Sequence, residues 1–334
     1  MDNSCYYNNS ELLSHNALFN WLNGMRSHGK TFSFKEWCIR DFLKRENEFV
    51  WLRRYKEETK NVITSFDTDI IKENKFPDVK FSTDGKTFFI NKKKAGYFLT
   101  LSMSQYYKSM AFPNVNKIIF DEYLITDSKI SYLPNEVYTF LELYSTISRT
   151  RDCRAFFIAN NASVRNPYFT YFNFYPQKGK RFTKKGDMLI EMDSATDFKN
   201  KVYETRFGKM IEGTTYGNYA VENEFLLDND EYVEKKPNTA IYQLTLAYNG
   251  KYYGLYYDLV RQLMYCTERN TLNGGLAIAV NKSDMTDNAV LSRSQAIRAT
   301  INTLKELFSL GRCRYENIKV KAAFNDIMKE LCIK

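Results

Sequence analysis

The chain has 334 residues, a net charge of +9, and 25 Tyr with 25 Phe, an unusually aromatic composition. That length favours two domains, each able to bury a core, and the basic balance points either to a polyanionic partner or to a lysine-solvated surface. No apolar run approaches the ~20 residues of a membrane span, the start lacks a secretory leader, and two histidines with six scattered cysteines leave little room for zinc, disulfide or His-based nucleophilic chemistry.

The first informative stretch is HNALFNWLN (15–23), a short apolar lead-in to GMRSHGKT (24–31). The latter matches the phosphate-cradling pattern GxxxxGK[ST] at every fixed position. Gly24 and Gly29 permit the turn that aims backbone N–H groups at phosphate, Lys30 reaches the β- and γ-phosphates, and the Thr31 hydroxyl suits Mg²⁺. A helix should follow with its positive end at the phosphates. TFSFKEWCIRDFLKR supplies one, with Phe34, Trp37, Cys38 and Phe42 at helical spacing. EFVWLRRYK (48–56) reads as a strand ending in Arg53, Arg54 and Lys56.

VNKIIFDEY (115–123) reads as a buried parallel strand tipped by Asp121-Glu122. An aspartate there can hold Mg²⁺, and the adjacent glutamate can polarise the attacking water. The paired acids favour ATP hydrolysis over transfer to a substrate. A strand followed by an ordinary acidic turn is the bland alternative. A helix is expected from about Glu136 to Ile147, followed by Arg149, Arg151 and Arg154. Those cations either complement the helix dipole or deliver an arginine finger to a neighbouring subunit. RAFFIANNAS (154–163) reads as a further strand whose end, Asn160-Asn161, is either a γ-phosphate sensor or a turn.

Residues 163–186 carry six basic residues and no acid: Arg165, Lys178, Lys180, Arg181, Lys184 and Lys185, interleaved with Tyr and Phe. They are candidates for contact with a DNA backbone, or else a β-hairpin with a solvated basic loop. The polar stretch that follows, with three glycines, reads as a hinge. The expected division is an ATPase domain over 1–197, a linker or hinge subdomain over 198–231, and a smaller domain over 232–334.

GMRSHGKT, WLRRYK, KSMAFPNVNKIIFDEY, YLPNEV, SRTRD, NNASVRNPYF and TRFGKMIEGTTYGNY together resemble the DNA-packaging ATPases of phi-twenty-nine-like phages (Picovirinae). The resemblance covers the N-terminal half and the linker and thins after about residue 235. It implies an ASCE-type P-loop NTPase domain with a parallel sheet. It implies a homo-oligomeric ring, a pentamer, that uses ATP and Mg²⁺ to drive double-stranded DNA into a preformed capsid. The partners it implies are DNA, the phage portal, the capsid and a packaging RNA, with no membrane. The place of action is the host cytoplasm, transiently on the procapsid portal. Carried over by position, Lys30 and Thr31 hold phosphate and Mg²⁺, Asp121 is the metal-associated acid, Glu122 is catalytic, and Arg149 is the trans arginine finger. Lys56 and Lys108 fall near the subunit boundary and the neighbour's nucleotide, and Asn161 at the sensor position. The loop interior departs from the pattern in Ser27 and His28, and His28 is expected to make nucleotide binding mildly pH-sensitive.

From residue 232 the pattern is a strand meander with an Asn249-Gly250 hairpin signal, a further strand in GGLAIAVN, and two helices. This resembles an RNase H-like domain. A working nuclease of that kind needs carboxylates converging on two metals. The first strand, AIYQLTLAY, has none. Asp258 is one inward candidate, and Asp284, Asp287 and Asp326 fall in loop or helix. The expectation is a vestigial nuclease domain. The alternatives are a terminase with a live nuclease and a P-loop switch protein that binds nucleotide without pumping.

Overall fold

The computed structural model describes residues 5–126, 130–163, 166–177, 179–222, 232–272 and 275–332. The chain divides into two compact units, Met1–Asp228 and Asn229–Lys334.

The first unit runs α1 (Ser10–Ser14), β1 (Phe19–Gly24), α2 (Lys30–Arg45), β2 (Glu48–Arg53), α3 (Lys56–Ser65), α4 (Thr68–Lys72), β3 (Phe81–Asp84), β4 (Thr87–Ile90), β5 (Lys93–Thr100), β6 (Val115–Asp121), α5 (Glu136–Ser148), β7 (Arg154–Asn160), α6 (Pro167–Phe172), β8 (Phe182–Lys185), β9 (Met188–Asp193), α7 (Thr196–Glu204), α8 (Arg206–Ile211) and α9 (Thr215–Ala220). Its sheet has the order β3-β4-β5-β2-β6-β7-β1-β9-β8. The six central strands are parallel, and antiparallel hairpins close both edges. Parallel strands with both faces covered need apolar side chains on both sides. β1 and β2 accordingly are buried at every position.

The aromatic composition goes mainly into this burial. On one face Phe34, Cys38, Ile39 and Phe42 of α2 pack with Phe49, Trp51, Phe66, Phe88 and Phe98. On the other, Trp21 stacks on Phe157 with centroids 5.0 Å apart, and Phe140 of α5 meets Phe157 at 4.7 Å. Aromatic pairs in these geometries add to simple area burial.

Two local expectations change. EFVWLRRYK is not one strand, because β2 ends at Arg53 and Lys56 opens α3. The Glu58 carboxylate accepts from the N–H groups of Arg54 and Tyr55, which turns the chain into the helix. The basic stretch 163–186 is more than a hairpin. Asn166 caps α6 by accepting from the Phe169 N–H, with Pro167 at the first helical position. Only then comes the β8–β9 hairpin. The segment read as a hinge forms α7–α9. Phe198 packs with Cys5 and Met25, and the Arg26 N–H donates to the Ala220 carbonyl.

The second unit contains β10 (Ile241–Tyr248), β11 (Lys251–Asp258), β12 (Leu263–Arg269), β13 (Leu276–Ala279), β14 (Ala289–Leu291), α10 (Arg298–Ser309), β15 (Cys313–Tyr315) and α11 (Ile318–Cys332). The sheet order is β14-β13-β10-β11-β12-β15. β10–β12 form the antiparallel meander, turning at Asn249 and Gly250 with φ of 49° and 69°. β13 runs parallel to β10. This is the α/β arrangement read from the sequence. The core lies between one face of the sheet and α10 and α11.

Asp258, the inward acid of the sequence reading, is part of a turn. Its Oδ1 accepts from the N–H groups of Val260 and Arg261, and its Oδ2 from the Thr239 hydroxyl. These donors hold its carboxyl below the usual carboxylate range. Asp284 Oδ1 likewise accepts from the Gly250 N–H. Among the described residues no group of three His, Cys, Asp or Glu side chains is placed to hold a metal ion. Asp258→Ala is therefore expected to lower the melting temperature of the second unit while ATP turnover stays at the parent rate. Calorimetry alongside a phosphate-release assay checks both.

Candidate nucleotide site

The ends of β1 and β7 lie level, Gly24 pairing with Asn160, and β6 ends two residues short of them, Asp121 pairing with Ile158. β1 runs straight into the loop 25–29, and α2 starts at Lys30. The loop bends through two left-handed residues, Ser27 (φ 62°) and Gly29 (φ 88°). Glycine is needed at 24 for a different reason. A Cβ there would sit 2.7 Å from the Asp193 Cβ at the end of β9.

Lys30 is buried, and its ammonium donates to the Met25 carbonyl at 2.5 Å and to Asn160 Oδ1 at 3.2 Å. Burial pulls its pKa from the ordinary 10.5 down to about 8, against the opposing pull of the Asp193 and Asp121 carboxylates. The Thr31 hydroxyl donates to Asp121 Oδ1 at 3.2 Å. Hydroxyl and carboxylate thus present the hard oxygens that Mg²⁺ takes. Asp121 is buried at the tip of β6, and Glu122 follows in a left-handed conformation (φ 57°) with its carboxylate exposed.

Sequence reasoning passed over several residues here. Arg53, at the end of β2, donates to Asp121 Oδ2 at 3.1 Å and to Glu122 Oε2 at 2.6 Å. Burial works against its charge, but the carboxylates of Asp121, Glu122 and Glu58 hold the guanidinium more firmly protonated. Arg54, pointing the other way, donates to the carbonyls of Glu122 and Tyr123 and to the Glu136 carboxylate. The doubled arginine was visible, but the alternation of side chains along β2 acquires meaning only once β6 lies beside it. His28 is buried, with Nδ1 2.5 Å from Asp193 Oδ2 and Nε2 2.9 Å from the Cys5 carbonyl. The loop's departure from the family pattern is thus tied to β9 and the N-terminal segment.

The other expected site residues are dispersed. Asn160 meets Lys30, while Asn161 is fully buried one residue beyond. Arg149 follows α5 and is exposed. Among the described residues its guanidinium has no hydrogen-bond or carboxylate partner. Arg151 instead donates to the carbonyls of Phe112, Pro113, Val115 and Ile147, a structural task. Lys56 is exposed at the start of α3, and exposed Lys108 lies 3.6 Å from Glu142. In the basic stretch, Arg181 is engaged by Glu191 and Glu11. Lys180, Lys184 and Lys185 are exposed, the last two near backbone carbonyls. Arg165 and Lys178 lie outside the described residues.

The fold and this site define a P-loop NTPase of the α/β class with paired acids at the strand tip. More particularly, the chain belongs to the family described as Podovirus DNA encapsidation protein (Gp16), which it matches over residues 1–333. It is 33% identical over 334 residues to the DNA packaging protein of Bacillus phage phi29, covering the whole of both chains. It is 32% identical to the packaging protein of Bacillus phage B103, covering 96% of this chain and 99% of that one. The structure of the phi29 genome packaging motor assembly matches with a TM-score of 0.78 at 32% identity, covering 98% and 99% of the two chains. The N-terminal domain of the phi29 DNA packaging ATPase matches over 58% of this chain and 98% of its own, with a TM-score of 0.54 at 38% identity.

The depressed pKa of Lys30 carries a stability cost with a definite sign. Below pH 8 the folded state holds an ammonium that burial disfavours. From pH 8 upward the cost fades, and it is gone by about 10.5, where the unfolded lysine also loses its proton. Lys30→Met should therefore be more stable than the parent protein at pH 7, by up to ~3 kcal/mol. The gap should close as the pH rises through that window, as nucleotide-free denaturant titrations at several pH values would report.

Proposed function

We propose that this chain is an ATP-driven motor subunit that moves double-stranded DNA into a preformed phage capsid. The observation that carries the reading is the convergence of Lys30, Thr31, Asp121, Glu122 and Asn160 at the ends of three parallel strands, in a chain of the encapsidation family. Gly24, Gly29 and Lys30 cradle the phosphates of ATP. Thr31 and Asp121 would hold Mg²⁺, which would supply positive charge against the phosphates. Glu122 orients and polarises the attacking water. To do so it leaves Arg53, which holds the carboxylate until the site is filled. Asn160 touches Lys30, and Asn161, the expected sensor, is the buried residue that follows it.

Arg149 acts in trans. It is exposed and, among the described residues, uncommitted, as a finger must be, while Arg151 is occupied with backbone. Lys56 and Lys108 serve the same boundary. The working assembly is a homomeric ring, a pentamer, seated on the portal of the procapsid in the host cytoplasm. A packaging RNA is a further partner. Lys180, Lys184 and Lys185, with Arg165 and Lys178, contact the DNA backbone without reading bases. Among the described residues no helix is long and apolar enough to cross a membrane.

The test is ATP hydrolysis against protein concentration, with and without double-stranded DNA. A motor with a trans finger shows a rate that DNA raises and that climbs faster than linearly with protein. Arg149→Ala is expected to keep nucleotide binding and lose turnover by ~10³-fold or more. A slow rate indifferent to both DNA and protein concentration, even with portal present, would reject the motor.

A further inference from the structure

Behind the acidic strand tip lies a second buried polar cluster. Arg54, Glu136 and Tyr168 are each at most 2% exposed. The Arg54 guanidinium donates to Glu136 through Nε (2.8 Å) and Nη2 (3.0 Å). The Glu136 carboxylate also accepts from the Tyr168 hydroxyl at 2.9 Å and the Leu133 N–H at 2.8 Å. The rings of Phe120 and Tyr132 lie 5.5 and 5.0 Å from the guanidinium carbon. Two further arginine N–H groups go to the carbonyls of Glu122 (Nη1, 3.3 Å) and Tyr123 (Nη2, 2.5 Å). Those carbonyls flank the left-handed turn that aims the Glu122 side chain. The turn is held from the opposite direction as well, since the Tyr123 hydroxyl donates to Asn23 Oδ1, next to Gly24 on β1.

A buried ion pair is a poor source of net stability, because desolvation consumes most of the Coulombic gain. A left-handed backbone at a glutamate is itself costly. The cluster places an ion-paired cation against the two carbonyls on which that backbone depends, and so fixes where the Glu122 side chain points. We infer that Arg54 and Glu136, supported by Tyr168, are positioning residues for hydrolysis: they hold the backbone of the Glu122 turn so that its carboxylate is delivered to the attacking water. The inference rests on the reading of Glu122 as the water-orienting base. It gives Arg53 and Arg54 separate tasks: Arg53 grips the side chain and must release it, whereas Arg54 grips the main chain and stays.

The test uses the full-length protein and three variants. Glu136→Asp keeps the charge but shortens the arm, Tyr168→Phe removes one supporting hydrogen bond, and Glu122→Gln is the control for the base. If the cluster positions the turn, Glu136→Asp lowers kcat for ATP at least tenfold. KM stays within twofold of the parent, and the ATP-induced rise in melting temperature is preserved. Tyr168→Phe shifts kcat in the same direction by a smaller factor. A folded Glu136→Asp with parental kcat overturns the inference. So does a parallel loss of nucleotide binding and turnover, which marks general structural support. If Glu136→Asp does not fold, Tyr168→Phe decides by the same split between kcat and KM. Glu122→Gln separates the two readings. If it hydrolyses ATP at the parental rate, the base assignment falls and the inference with it. If it is inactive while Glu136→Asp turns over normally, only the inference falls.

Discussion

The site depends on strand register. Gly24, Asn160 and Asp193 end adjacent parallel strands at one level, and Asp121 ends two residues short of Asn160. Slipping β6 by one residue against β7 would turn Asp121 to the other face and part it from Thr31. Register in turn is enforced by packing. Strands buried on both faces have no tolerant side to turn toward water. The stacked Trp21–Phe157 pair on one face and the Phe34–Phe156 contact on the other fix neighbouring positions of β1, β7 and α2 against one another. The aromatic richness of the chain is thus largely a means of holding a polar constellation in place.

Charge is managed in the same region by pairing almost everything. Asp121 has Arg53 and Thr31, Glu136 has Arg54 and Tyr168, and Asp193 has His28. Lys30 differs in kind, because its direct partners are a carbonyl and a side-chain amide. Its ammonium is left under-compensated where a polyanion would complete it. A protein that spent this position on stability would have neutralised the charge internally, and an unmet charge is what ligand recognition requires.

Much of this was legible before any coordinates. The glycine-lysine-threonine pattern, the apolar run tipped by two acids, the helix from Glu136 and the Asn249-Gly250 turn are local signals, and local physics decides them. What stayed hidden needed tertiary neighbours. EFVWLRRYK looks like one strand because nothing within it announces that Glu58 will capture two backbone N–H groups and start α3. The helix at Pro167 carried a readable cap, Asn166 followed by proline, but the β-preferring aromatics after it argued the other way. Asp258 looked available for chemistry because a sequence does not show which carboxylates are already spent on N–H groups. The two arginines at 53 and 54 could be seen, and their opposite assignments could not.

One element touches both ends of this arrangement. α5 is a helix of 13 residues, about 20 Å long. Its first residue, Glu136, is locked to the turn that carries Glu122, and the residue after its last is Arg149. If Arg149 serves a neighbour as proposed, a rod clamped at one end to the Glu122 turn and ending beside that arginine couples the two ends. Any displacement of that turn would be passed along the axis, since a helix compresses little. Timing between subunits would then be a property of helix stiffness, without any separate signalling element.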